Sequence, residues 1–302
     1  MTELTLTGLD GSNPLAFLAA LGVLVALDDG ASDAGGPRPS MRWREGAAWH
    51  PVISSTARDL GELVELLDAD RRARADDPAL AFTYQKSGKT QHDVKPPPDE
   101  LHDQLETWVD EALSPRSLAW FTSFVSEGAR DGSGASKPTA LHFTAGQQRF
   151  LSYALDLAAK TNTDQLREAL LGPWSYSSRL PVFGWDSTET RDYALRARDP
   201  SNLKLGNPGA DWLGLRGLRL VPTAARAGRQ TTALAYGSWK HGLLRWPIWT
   251  PPLGAPVIGS LLVQPTPESS SARRLGIGCV FECRIRRSEQ GGYGSVTPAR
   301  VR

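Results

Sequence analysis

The sequence predicts an α+β protein in which helices and short strands are mixed in one large body or two packed lobes. Three observations lead there. Segments with apolar residues at helical spacing are interspersed with short stretches that alternate polar and apolar residues. One run, Leu15 to Leu27, is apolar on every side over 13 residues, so its helix must lie inside a core. The 29 glycines and 22 prolines among 302 residues break the rest into short pieces joined by turns.

The elements follow in chain order. Glu3 to Thr7 alternates as a half-buried strand does. Gly8 to Pro14 turns into a helix that Asn13 can cap and for which Pro14 suits the first position; the helix runs to about Asp28 and is buried. Its apolar run falls short of the roughly 20 residues that span a bilayer. No basic region precedes it, so neither membrane insertion nor a signal peptide is expected. Arg42 to Arg44 and Ala48 to Ile53 read as a hairpin. Thr56 and Asp59 resemble a capping box for a helix with Leu60, Leu63, Val64 and Leu67 on one face, closed by Arg71, Arg72 and Arg74. Leu80 to Tyr84 reads as a strand, residues 85–99 as a loop, and a helix follows to about Leu113. Thr144 to Gln147 resembles a capping box for a helix with Phe150, Ala154, Leu157 and Ala158 on one face. Gly172-Pro173 ends the next short helix. Beyond it come strand-like pieces, with six of the ten tryptophans between Trp174 and Trp249, and Arg284-Ile285-Arg286 on a final strand.

Residues 126–139, rich in Ser, Gly and Ala, are the best boundary candidate, because the charge balance changes sign there. Residues 1–132 carry 12 basic and 22 acidic side chains, and residues 133–302 carry 22 and 11. The expected organisation is an acidic N-terminal lobe, 1–132, and a basic, tryptophan-rich C-terminal lobe, 133–302, or one continuous domain. The basic set is mostly arginine, whose planar fork suits phosphate and bases. Two explanations compete: a nucleic-acid surface, or neutralisation across an internal interface. Cys279 and Cys283 are too few for a zinc site and fit a reducing cytoplasm, most simply as small buried apolar residues.

No known catalytic motif is complete. Ser87-Gly88-Lys89-Thr90 ends like a phosphate-binding loop, but Thr83 stands where its first glycine belongs, and Gly132 to Lys137 lacks the glycine before its lysine. His92-Asp93 lacks the companion ligands of a metal phosphohydrolase. Trp185-Asp186 and Asp211-Trp212 place acids beside aromatics, where burial could raise a carboxylate pKa for acid–base work; the commoner explanation is a surface acid or one paired with arginines such as Arg191 and Arg216. No metal, cofactor or catalytic set is therefore expected. The enzymatic alternative is a nuclease or hydrolase using His142, Asp186 or Lys240.

Basic and aromatic residues interleave in Lys137 to Phe150, in Trp239-Lys240-His241, in Arg245-Trp246, and in Arg284 to Gly294. On a strand, Arg284 and Arg286 share a face, and Tyr293 beside a glycine-rich turn could stack on a base. The candidate nucleic-acid contacts are Lys137, Arg149, Lys240, Arg245, Arg284, Arg286, Arg287 and Tyr293; the plainer explanation is a solvated basic face over packed tryptophans.

Gly11 to Gly22 and Lys137 to Gln147, with Asp192 to Arg196, Gly209 to Leu213 and the Arg286 to Gly294 ending, resemble a poorly characterised family of type I-G (formerly I-U) CRISPR-associated proteins. The resemblance implies a non-catalytic role in antiviral defence: a large-subunit-like component of an RNA-guided surveillance complex, or an extension of the helicase–nuclease. Its partners would be effector-complex subunits or that helicase–nuclease, together with crRNA or target DNA, in the cytoplasm and away from membranes. A protein adaptor that does not bind nucleic acid is the remaining alternative.

Overall fold

A computed structural model describes residues 1–188, 205–265, 269–287 and 293–302. Strands β1 (Thr2–Thr5), β2 (Ser40–Glu45) and β3 (Trp49–Ser55) form an antiparallel sheet in the order β1-β3-β2. Helix α1 (Pro14–Asp33) runs from the first strand to the second. Asn13 caps it, accepting from the Leu15 amide at 3.0 Å, and Pro14 occupies the first turn where its missing N–H costs nothing. Every residue from Pro14 to Leu27 is buried, as the all-apolar run requires. Among the described residues α1 is the one helix long and apolar enough to cross a membrane, and here it is packed inside protein.

Helices α2 (Leu60–Ala73), α3 (Pro78–Ala81), α4 (Pro98–Asp110) and α5 (Pro115–Phe124) follow, with the hairpin β4 (Tyr84–Lys86) and β5 (Lys89–Gln91) between α3 and α4. Strands β6 (Val125–Arg130) and β7 (Ser136–Pro138) pair next. Then come α6 (Phe150–Lys160), α7 (Thr163–Leu171) and α8 (Pro208–Gly217), the hairpin β8 (Thr223–Arg226) and β9 (Arg229–Thr232), β10 (Ala235–Gly237) and β11 (Gly242–Trp249). Helices α9 (Ala255–Val263) and α10 (Ser269–Arg274) precede the long β12 (Ile277–Arg287), β13 (Gly294–Val296) and β14 (Arg300–Val301). The last five strands form one antiparallel sheet, β10-β11-β12-β13, with β14 also paired to β12.

Helices α1 and α8 touch backbone to backbone. A Cβ on Gly22 would sit 1.8 Å from the Leu213 carbonyl oxygen, and one on Gly217 would sit 2.1 Å from that of Leu18. The inner face of the C-terminal sheet closes over α1 and the first sheet. Phe17 lies 5.9 Å from both Trp43 and Trp246 and 6.3 Å from Trp249, centroid to centroid. The Trp246 and Trp249 indoles each donate, at 2.8 Å, to the carbonyls of Gly11 and Met41. One apolar cluster extends from Leu6 to Val296 through both halves of the chain. This packing fixes the inner face; on the outer face Val280 packs against Ala272 of α10, and the stretch at Arg284 and Arg286 stays exposed.

Five local expectations differ from what the chain does. Leu80–Tyr84 is not one strand: Asp77 caps the helical turn α3, accepting from the Ala79 amide at 3.0 Å, and strand begins only at Tyr84. The cap of α2 is Asp59, which accepts from the Glu62 amide at 2.9 Å. Thr144 does not open a helix. Helix α6 begins at Phe150, whose amide donates to Asp93 at 3.1 Å, so the cap comes from a residue 57 positions upstream. Residues 85–99 are not all loop, because the β4–β5 hairpin runs into them as far as Gln91. Residues 126–139, the boundary candidate, form the β6–β7 hairpin, turned by Asp131, which accepts from the amides of Ser133 and Ala135. Asp192 to Arg196 lies outside the described residues.

Part of the charge asymmetry is internal. Arg216, fully buried, donates to Asp29 at 2.9 Å and to Asp70 at 2.9 and 3.0 Å, while its guanidinium lies 4.7 Å over the Trp120 ring. Arg219 donates to Asp29 at 2.7 Å. Asp211 is not where Arg216 pairs; its carboxylate accepts from the Phe183 amide at 3.0 Å. Arg191 lies outside the described residues.

Candidate nucleic-acid interface

The outer face of the C-terminal sheet follows from the two-residue period of a strand. Along β12, Phe281, Cys283 and Ile285 point into the core, while Glu282, Arg284 and Arg286 point outward. Burial pushes the Cys283 thiol up to about 12 and that of Cys279 up to about 11, so neither thiolate forms readily near neutral pH. On the neighbouring β11, Arg245 stands opposite Glu282 and Leu243 opposite Arg284. Arg284 and Arg286 are exposed, and their side chains make no ion pair or hydrogen bond with any described residue.

Beside this free pair lies an anchored one. Glu282 accepts from Arg245 at 2.5 Å and from Arg300 at 2.8 Å. Those two hydrogen bonds, from Arg300 and then Arg245, hold its carboxyl below the usual range. Arg245 lies 4.9 Å over the Tyr236 ring, so one side of the face ends in a stacked cation and aromatic. Where β13 gives way to β14 along β12, Thr297 bridges the gap. Its amide donates to the Arg284 carbonyl and its hydroxyl accepts from the Arg284 amide, both at 3.0 Å. The interruption opens a cleft of about 280 Å³ lined by Glu282, Arg284, Arg286, Thr297, Pro298 and Arg300.

The other candidates sit elsewhere. Arg287 turns the opposite way from Arg286. It donates to the carbonyls of Ala140 at 2.7 Å, His142 at 2.8 Å and Trp239 at 3.1 Å, and its guanidinium lies 3.6 Å over the Trp239 ring. Burial lowers its pKa to about 10, which still leaves it charged near neutrality. Arg287 therefore anchors the Ala140–His142 segment to the sheet, its guanidinium being engaged by three carbonyls. Lys137 lies 5.3 Å from the same Trp239 ring, and Lys240 is exposed in the turn between β10 and β11. Arg149 closes around the start of α6, donating to the carbonyls of Gly146 and Gln148 at 2.7 and 3.0 Å and to Gln91 at 3.1 Å. Tyr293 is exposed, with its hydroxyl beside Gly146: a Cβ there would meet it at 2.6 Å. The chain thus gathers Arg245, Arg284 and Arg286 on one face, Lys137 and Arg287 around Trp239, and Arg149 and Tyr293 at one turn. Arg300, Glu282 and Tyr236 belong to the first group and were missed by sequence reasoning, although the alternation Arg300-Val301-Arg302 carries a strand signal.

The residues of the enzymatic alternative do not form an accessible set. His142 is 1% exposed and stacks 5.7 Å from Phe150, with Nε2 at 3.1 Å from Thr144 and 3.5 Å from Asp93. Asp186 is buried and accepts from the Asn13 side chain and the Thr188 amide, each at 2.9 Å. His92 contacts the Leu80 carbonyl at 2.6 Å, while Asp93 caps α6. Among the described residues no group of three His, Cys, Asp or Glu is placed to hold a metal ion. Ser87 and Gly88 have φ of 53° and 73° and turn the β4–β5 hairpin, so no helix follows them to cradle a phosphate.

Burial holds the His142 imidazole below its ordinary pKa. It is neutral in the fold and takes up a proton on unfolding below about pH 6.5. Its contribution to stability is therefore complete above that value and is lost as pH falls through it towards the lowered folded value, at up to about 1.4 kcal/mol per pH unit. His142→Gln should lose less thermal stability than the parent between about pH 7.5 and 5.5. Melting curves at the two pH values check this, and equal losses would contradict it.

No family model matches the chain, and no curated protein matches it either.

Proposed function

We propose that the chain is a non-catalytic component of a type I-G CRISPR antiviral system that binds nucleic acid through the outer face of its C-terminal sheet. The observation that carries the binding reading is the pair Arg284 and Arg286, exposed on one face and without a partner among the described residues. A guanidinium left free on a packed sheet is a ready bidentate partner for phosphate. The link to CRISPR rests on the resemblance carried by Gly11–Gly22 and Lys137–Gln147. The ligand would be crRNA or target DNA, and the protein partners would be effector-complex subunits or the helicase–nuclease, in the cytoplasm. In such complexes base pairing reads sequence, and protein surfaces hold the backbone. The burial of His142 and Asp186 counts against the independent nuclease or hydrolase.

Replacing Arg284 and Arg286 together by Ala separates this reading from that of an adaptor. The expected result is weaker binding to single-stranded RNA or DNA with an unchanged melting temperature, because neither side chain supports the fold. Unchanged affinity at low salt would remove the face from the account.

A further inference from the structure

We propose that the cleft between β13 and β14 binds a phosphate monoester, the terminal phosphate of a nucleic-acid strand. The proposal rests on the nucleic-acid reading and goes beyond it by naming which phosphate the cleft takes. Three arginines line it, Arg284, Arg286 and Arg300, and a fourth, Arg245, donates to the lining Glu282. The one carboxylate there is shared by Arg245 and Arg300, so Arg284 and Arg286 add charge that nothing described offsets.

An internal phosphodiester carries one negative charge and is satisfied by one fork. A terminal monoester carries about −1.5 to −2 at neutral pH and presents three strong acceptor oxygens. A cleft lined by three arginines, two of them without an acidic partner among the described residues, matches that group better than a diester. The shape agrees: about 280 Å³ holds a phosphate with part of its sugar, below the roughly 300–1,000 Å³ of pockets that enclose whole drug-sized ligands. The lip is fixed, because Thr297 takes the place of ladder bonds to Arg284 on both its amide and its hydroxyl. Arg284 and Arg286 alternate on one strand, roughly 6.8 Å apart along it, so both can reach one group seated between them and Arg300.

The test compares three single strands of one sequence, ending in a 5′-phosphate, a 3′-phosphate or hydroxyls only, with a nucleoside monophosphate as a fourth ligand. At least one phosphorylated strand should bind about tenfold more tightly than the hydroxyl-ended strand. Arg284→Gln with Arg286→Gln should erase that preference and leave the melting temperature unchanged. Equal binding of all three strands overturns the strand-end assignment and leaves the nucleic-acid face standing, whereas failure of every strand to bind overturns both. A preference that survives the double variant overturns the assignment to this cleft. A nucleoside monophosphate that binds as tightly as the phosphorylated strand makes free phosphate the ligand and overturns the strand end.

Discussion

Gly22→Asp is expected to abolish folding. Position 22 lies where α1 and α8 meet, and even a methyl group would stand 1.8 Å from the Leu213 carbonyl oxygen and 2.6 Å from its carbon. Both obstacles are backbone, so the helices must separate, and Gly217, pressed against Leu18 and Gly22, separates with them. Overpacking of this kind costs about 1–3 kcal/mol. The aspartate adds a carboxylate buried among apolar residues with no cation arranged to receive it. Together the loss should exceed about 4 kcal/mol, a large share of what holds a domain folded. Gly22→Ala isolates the steric part and should lower the urea midpoint without abolishing folding. Gly30→Ala, later on the same helix, meets nothing within 4 Å and should be neutral or stabilising by about 0.5–1 kcal/mol. A soluble Gly22→Asp protein with the parent's midpoint would contradict the crossing.

Arg216→Met should cost about 3–5 kcal/mol. The arginine joins α8 to α1 through Asp29 and to α2 through Asp70, Arg216 and Asp29 being buried and Asp70 half-buried. Burial pushes the Asp29 carboxyl up, but Arg219 and Arg216 outweigh it and hold the carboxyl below its ordinary value. Its contribution is present above the unfolded pKa of about 3.9 and is lost as pH falls through the folded value. Methionine fills much of the space and removes the charge, leaving Asp70 with Arg74 at 3.6 Å and Asp29 with Arg219 and Arg116. Adding Asp70→Leu to Arg216→Met should recover much of the loss, because removing both partners of a buried pair costs far less than removing one. Chemical denaturation of the single and double variants checks this. A single variant as stable as the parent would show that the cluster contributes little.

What the sequence made legible was local. The all-apolar run from Leu15 to Leu27 required a buried helix, and the alternation at Arg284-Ile285-Arg286 required a strand with two arginines on one face. The same alternation places Arg287 on the other face, which is why its guanidinium meets Trp239 and the Ala140–His142 carbonyls. The signal was present and was outweighed by the density of arginines. Where α3 replaces a strand, Asp77-Pro78 carried the cap and first-turn signature, but the apolar run after it suggested extension. Partners far apart in sequence were not legible. Asp93 capping α6, Arg216 reaching Asp29 and Gly22 meeting Leu213 each join segments that only the fold brings together. Charge counts also could not separate internal arginines such as Arg216 and Arg219 from free ones such as Arg284 and Arg286.

The most direct test of the binding face is a salt titration of the protein with a labelled single strand, followed by anisotropy between roughly 50 and 200 mM salt. The account predicts that log affinity falls linearly with log salt as counterions are released from neutralised phosphates. It also predicts that the Arg284→Ala, Arg286→Ala protein shows a slope shallower by about 1.4, two phosphate contacts at about 0.7 each on a single strand. No binding at the low-salt end, or binding that salt and the double substitution leave unchanged, would contradict it.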